Sequence, residues 1–177
     1  MIYDVLIFGG GVSGVSCALI LGSAQKKEFV ADKKIGIIAH QKGSMLQDAL
    51  FNNAYGIAPG TLGSELLETS LSNLTSIYPH IDQILNEKVI SVKKQNDLFL
   101  VTTNKNNYQT KMIVVATNSS NAFNIEGLME YVIPHQKSIA SKNRIQLMNI
   151  DHKVAENIYV AGTLAGWRSQ LSIGAGS

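Results

Sequence analysis

A single cysteine, Cys17, is all that the 177 residues contain, so an intrachain disulfide and a Cys-x-x-Cys redox or zinc pair are both excluded. Redox chemistry would need a bound cofactor. Excess charge is also missing: 15 basic and 13 acidic residues leave a formal net charge of +2, too little to argue for a polyanion, and nucleic acid is not an expected partner. No repeat, low-complexity tract or charge block marks a boundary between independent domains. Apolar runs are broken by glycine well short of a bilayer's thickness. The start "MIYDVLIFGGG" has neither a basic segment nor a small-residue cleavage pattern. The expectation is no membrane association and a cytoplasmic location.

What is present describes a globular protein, with 45% hydrophobic and 16% charged residues, in a chain whose length suits one domain over 1–177. "VLIFGGGVSG" places Gly9, Gly11 and Gly14 at G-x-G-x-x-G spacing after an apolar run. Such glycines either turn a corner or bring the backbone close to a dinucleotide, and context must decide. Ile2–Phe8 has little alternation, the pattern of a strand buried on both faces. Residues 12–21 predict a helix with a small-residue face at Gly14 and Ala18, punctuated by Gly22 and Ser23. Cys17 lies inside it and reads as a packed side chain. Ile35–Ala39 follows as a second strand, completing the β-α-β unit in which the glycine motif has its meaning.

Further on, residues 62–77 predict an amphipathic helix capped by Ser64 and stopped by Pro79. "KVISVKKQNDLFLVTTNKNNYQTKMIVVATN" reads as three strands joined by "QND" and "NKNN" turns, an antiparallel meander whose last strand, 111–117, returns to the core sheet. Residues 118–143 lack periodicity and read as a connector with one short element at most. Residues 157–163, "NIYVAGT", give another buried strand ending in glycine. The class predicted is α/β: a Rossmann-like domain with a parallel sheet and an inserted antiparallel β-meander.

Four segments in this order resemble the FAD-binding domain of the thioredoxin reductase-like flavoproteins, in the pyridine nucleotide-disulfide oxidoreductase superfamily. They are "IFGGGVSG", "FNNAYGIAPGTLGSEL", "IVVATNSS" and "IYVAGTLAGWRSQLSIGAG". The resemblance implies FAD as cofactor and an FAD/NAD(P)-binding fold. It also shows what this chain lacks. The reductases insert an NADPH-binding domain, bearing the Cys-x-x-Cys pair, after the "A-T-G" strand, where this chain has only the 118–143 connector. Where the family continues as a helix, the sequence stops at "IGAGS", either because the helix is shortened or because further residues lie beyond. Other departures are single residues: Ala39 or His40 replaces the acid that ends the second strand, Ser44 a glutamine, Asn118 a glycine, and Thr163 an aspartate.

The resemblance implies cofactor-binding roles for Gly9, Gly11, Val12, Ser13 and Gly14 at the pyrophosphate and for His40 and Val89 on the adenosine side. Ala116 and Thr117 fall at the "A-T-G" strand end, and Gly162 and Thr163 beside the ribityl chain and pyrophosphate. Met45, in the 45–48 segment, and Asn53 fall beside the isoalloxazine, with Gln170 and Leu171 at its pyrimidine end. Gly11 is further expected to hold a conformation that a branched residue would find disfavoured. The four histidines share no metal-ligand spacing and read as solvated or turn residues. Trp167 either packs or borders the flavin. Two functional classes remain: an FAD-dependent oxidoreductase, or a non-catalytic dinucleotide-binding or regulatory module. A homodimer or a protein redox partner is expected to cover the exposed flavin edge.

Overall fold

Leu6, Ile7 and Phe8 are at most 1% exposed, which is why strand β1 (Ile2–Phe8) is an apolar run rather than an alternating one. The structure is a computed structural model that describes residues 1–40 and 46–176. From β1 the chain enters helix α1 (Val12–Ser23) and returns as β2 (Ile35–Ala39), parallel to β1 with Val5 opposite Ile35. Two short strands, β3 (Leu50–Phe51) and β4 (Thr61–Leu62), form a hairpin leading into α2 (Gly63–Ile77). Next comes β5 (Ile81–Leu85), parallel to β2 at one edge of the sheet.

The meander is β6 (Val89–Gln95), β7 (Leu98–Thr103) and β8 (Asn107–Val115). Its third strand is longer than the sequence suggests and serves two neighbours. Near its start it pairs antiparallel with β7, Phe99 opposite Thr110, and from Gln109 to Val115 it runs parallel to β1. The 118–143 segment is not a bare connector. It carries a 3-10 turn at Met129–Tyr131 and β9 (Val132–Pro134), which pairs with β10 (Ile145–Leu147). Leu128 and Leu147 are fully buried, so this segment is part of the core, where each such side chain contributes about 1.5–3 kcal/mol. The chain ends in β11 (Lys153–Ala155), β12 (Ile158–Val160) and α3 (Leu171–Gly176).

Strand order in the main sheet is β11-β12-β8-β1-β2-β5. From β12 to β5 all neighbours are parallel, as the α/β class requires, and β11 closes the other edge antiparallel to β12. Val15 and Ala18 of α1 and Leu74 of α2 cover one face with Ile7 and Ile37. Meander and return segments cover the other, where Phe99 and Val101 meet Leu6, Phe8, Leu128 and Leu164. No helix among the described residues is long and apolar enough to cross a membrane.

Two helix boundaries differ from the sequence reading. Ser64 is exposed and caps nothing; instead the Gly63 amide donates to the Ala49 carbonyl at 2.8 Å, and a side chain at Gly63 would strike the Leu46 carbonyl oxygen. Gly22 does not end α1 but lies inside it. A Cβ there would come within 2.7 Å of the Tyr78 ring, so the glycine lets the exit of α2 pack against α1.

Candidate functional site

Strands β2, β1, β8 and β12 end at one edge of the sheet, and main-chain bonds tie their ends together. The Gly9 amide donates to the Ile38 carbonyl at 2.8 Å, Ala116 to Phe8 at 2.8 Å, and Ala161 to Val115 at 3.0 Å. From β1 the chain crosses to β2 on one side, while β8 lies on the other. This is the topological switch point at which open α/β sheets leave a crevice.

Gly9 stands at that point with φ +118°, a conformation L side chains rarely adopt. A Cβ there would lie 2.5 Å from the Ala116 carbonyl oxygen and 3.2 Å from the Thr117 nitrogen. Gly14 is buried, and a side chain on it would collide with the Gly9 carbonyl. Gly11 is different: it caps α1 at φ −82° and ψ −174°, which any residue adopts, so the strain expected at Gly11 belongs to Gly9. After β12, Gly162 turns at φ +72°, and a side chain there would strike the Ser13 hydroxyl. In α3, a Cβ on Gly174 would make ordinary contact with Ser13 and Val12. Gly9, Gly11, Val12, Ser13, Gly14, Ala116, Thr117 and Gly162 are thus brought around the first turn of α1. Thr163 follows, and Gln170, whose carbonyl accepts from the Gly174 amide at 2.8 Å, sets the start of α3 at Leu171.

This convergence leaves polar groups unanswered. The first-turn amides of α1 have no acceptor within the helix, its first turn holds no acidic residue, and no side chain among the described residues caps it. Its dipole favours an anion there. Beside the glycine turn, the Thr117 hydroxyl is buried with no hydrogen-bond partner among the described residues. Leaving such a group unsatisfied costs about 1–3 kcal/mol, a deficit that a ligand oxygen would remove.

Other residues singled out from the sequence lie further off. His40 is exposed just past β2. The Asn86 amide donates to the Ala39 carbonyl at 2.8 Å, tying the segment that leads to Val89 to the end of that strand. Val89 opens β6 and pairs with Thr103. Asn53 is exposed in the β3–β4 loop, where it is Asn52 that accepts from the Gly60 amide at 3.0 Å. Met45 and Ser44 lie outside the described residues. Among the described residues no group of histidine, cysteine or acidic side chains could hold a metal. Burial pushes the Cys17 thiol up to about 11, away from nucleophilic chemistry.

His40 is exposed and His152 lies in a turn, as the sequence suggests, but His135 departs from expectation. His135 is 7% exposed; its Nδ1 accepts from the Lys137 amide at 3.2 Å, so its Nε2–H donates to the Thr163 carbonyl at 3.1 Å. Its ring holds the turn after Gly162. His152 Nδ1–H donates to the Val160 carbonyl at 2.8 Å, and its Nε2 accepts from the Trp167 indole at 3.3 Å. Lys137 places its ammonium 4.0 Å from the Trp167 ring centroid. Of these pairs, His135–Thr163, His152–Trp167 and Lys137–Trp167 are 15 to 30 residues apart in the chain, and no local spacing announces them.

The same architecture recurs in solved structures. Thioredoxin reductase from Lactococcus lactis aligns with a TM-score of 0.56 at 21% identity, covering 73% of this chain and 40% of that one. A ferredoxin-flavin thioredoxin reductase from Clostridium acetobutylicum aligns with a TM-score of 0.53 at 21% identity, covering 73% and 42%. In sequence, a ferredoxin–NADP reductase from Pediococcus pentosaceus is 28% identical over 90% of this chain and 47% of the relative. An uncharacterized oxidoreductase CzcO from Bacillus subtilis is 26% identical over 90% and 48%. The chain therefore spans under half the length of the curated relatives it matches. Residues 3–171 match the family described as pyridine nucleotide-disulphide oxidoreductase, and this protein belongs to that family.

Proposed function

We propose that the chain is the FAD-binding domain of an oxidoreductase, a single unit over 1–177 that prefers FAD to NAD. One observation carries the reading. The family's glycine turn converges with Ala116, Thr117 and Gly162 on a helix start that no described side chain caps, beside a buried hydroxyl without a partner among the described residues. The amides of Gly11, Val12 and Ser13 would hold the pyrophosphate. Gly9, Gly14 and Gly162 keep side chains out of its way, and Thr117 would donate to a ligand oxygen. His135 fixes the Thr163 carbonyl, so the turn that would face the ribityl chain is set before any ligand arrives. The Val89 main chain and His40 would meet the adenosine end. Asn53, Met45, Gln170 and Leu171 would border the ring. Preference for FAD rests on the meander and the glycine-ended β12, which a plain nicotinamide domain lacks.

A bound isoalloxazine would supply the electron transfer; the protein supplies binding, orientation and shielding. Shielding is incomplete in the chain by itself. Leu50 and Leu62, paired across the β3–β4 hairpin, are 58% and 52% exposed, and Tyr55 between them is fully exposed. This supports a second copy or a protein redox partner as a cover. Two of the similar proteins are named as acting with ferredoxin, a precedent for such a partner.

Purification decides the reading. A yellow protein with stoichiometric FAD, or calorimetric binding of FAD to the apoprotein, is expected. Neither flavin absorbance nor heat on adding FAD would overturn it. Reduction of the bound flavin by NADH, NADPH or reduced ferredoxin then separates an oxidoreductase from a module that binds without turnover.

A further inference from the structure

Between Ile150 and Lys153 the chain reverses in two residues, closed by the Ile150 amide on the Lys153 carbonyl at 3.0 Å and the Lys153 amide on the Ile150 carbonyl at 2.9 Å. Asp151 and His152, at its centre, both have positive φ, 46° and 68°, a geometry such reversals usually give to Asn-Gly. A histidine thus stands where glycine would be unstrained, and what its ring does there needs an account. Nδ1–H donates to the Val160 carbonyl at 2.8 Å, and Nε2 accepts from the Trp167 indole at 3.3 Å. The two rings lie within 23° of parallel, with centroids 6.1 Å apart. An indole N–H can only donate, so this bond exists only while Nε2 keeps its lone pair free. The rest of the turn after β12 is held by other groups. His135 binds the Thr163 carbonyl, and Asn149 Nδ2 donates to the Ala165 carbonyl at 3.2 Å. Gly166 follows at φ 94°, a hinge between the held Ala165 and Trp167.

We propose that His152 and Trp167 form a proton-operated latch: a proton taken from solvent onto His152 Nε2 releases Trp167, which swings about Gly166 while Thr163 and Ala165 stay in place. That proton turns an acceptor into a donor facing the indole N–H, so the hydrogen bond is lost and two N–H groups oppose each other. Imidazoles exchange it between about pH 5 and pH 8, and such protonation flips packed elements. Charged groups lie on several of the neighbouring elements. On the same turn stand the exposed Asp151, a carboxylate that attracts an imidazolium, and Lys153, which acts on Glu156, itself paired with Lys94. From the segment after β9, Lys137 places its ammonium 4.0 Å from the Trp167 ring centroid, so an imidazolium adds a second positive charge beside one indole. Arg168, next to Trp167 in the chain, is exposed. The remaining partners are neutral: the Val160 carbonyl, and Asn149, whose Oδ1 accepts from the His152 amide at 3.3 Å. Release exposes Trp167 and loosens the chain between Gly166 and α3, whose Gly174 lies against Val12 and Ser13. The latch needs no ligand, and it stands whether or not FAD binds.

Trp167 is the chain's one tryptophan, so indole signals of the full chain report this site alone. On acidification through the range in which imidazoles titrate, acrylamide quenching of Trp167 fluorescence should rise about twofold along a one-proton curve, as the side chain goes from 39% toward full exposure. The indole N–H resonance and one histidine ring signal should share its midpoint. His152→Asn keeps a residue that tolerates positive φ but takes up no proton. Its quenching should stay at the acid level of the wild type at every pH. Acrylamide access that does not change with pH in the wild type would overturn the latch whether or not the variant folds, and it would do so even if emission dimmed, since contact with an imidazolium dims an indole without releasing it. A pH-dependent access that survives in His152→Asn would overturn it as well.

Discussion

Around Glu87 the buried polar atoms are answered; around Gly9 they are not. The Glu87 carboxylate accepts from Thr103 at 2.6 Å, Asn106 at 2.7 Å and Tyr108 at 3.0 Å, and the residue is 6% exposed. Burial alone would raise its pKa, but these hydrogen bonds together hold it below the ordinary carboxylate value. The three donors come from β7, the turn after it and β8, so the carboxylate pins the meander. At the end of β1, by contrast, the first-turn amides of α1 and the Thr117 hydroxyl have no such answer among the described residues. One region spends its polar groups on stability. On the function proposed above, the other would keep them for a ligand.

The largest effect that would break this contrast lies at Gly9. Gly9→Val needs a β-branched residue at φ +118° with its Cβ 2.5 Å from a backbone oxygen. Neither wall can yield, so the fold itself should fail, with a loss of about 3 kcal/mol or more visible as a collapsed melting transition. Gly11→Val is the matched control, because Gly11 sits at φ −82°. Its fold should persist, weakened by about 1 kcal/mol at most, while the calorimetric signal for FAD disappears. Wild-type FAD affinity in Gly11→Val would move the phosphate site elsewhere.

Next in size is the satisfied region. Glu87→Ala leaves the buried Thr103 hydroxyl, the half-buried Tyr108 hydroxyl and the exposed Asn106 amide without their acceptor and should cost about 1–2 kcal/mol in urea unfolding, with FAD affinity unchanged in the folded fraction. Because the folded pKa is depressed, the stability Glu87 contributes is full above the unfolded glutamate value near 4.3. It is lost as pH falls through the lower folded value. In Glu87→Gln the decline in stability as pH falls below about 4.3 should therefore flatten. A decline as steep as that of the wild type would mean that other carboxylates carry the acid sensitivity.

The two regions also differed in how far the sequence disclosed them. The cradle's outline was legible because main-chain geometry writes itself into glycine spacing: Gly9, Gly11 and Gly14 after an apolar run, and Gly162 after another. The meander was legible through its "QND" and "NKNN" turns. What escaped depends on contacts between distant segments. β5 is a short edge strand whose residues grade from buried Ile81 to exposed Leu85, giving no clean alternation. β3, β4, β9 and β10 have two or three residues each, too few to show a period. His135 finds its partner in Thr163, 28 residues away, and Glu87 finds its partners 16 to 21 residues on. The missing partner of Thr117 could not be read at all, since an unanswered group is defined by everything around it.

That orphan offers the smallest effect and the sharpest discrimination. Thr117→Val keeps the branched shape and replaces a hydroxyl without a partner by a methyl group. If the hydroxyl waits for a ligand, the free protein loses nothing, and relief of the desolvation penalty should stabilise it by up to about 1 kcal/mol. FAD affinity should fall about tenfold, the equivalent of one buried hydrogen bond. The two readouts move in opposite directions, which a general packing defect cannot mimic, because a defect lowers both. A variant less stable than wild type with unchanged FAD affinity would show that the hydroxyl serves the fold, and the contrast between the two regions would then fail at the residue that defines it.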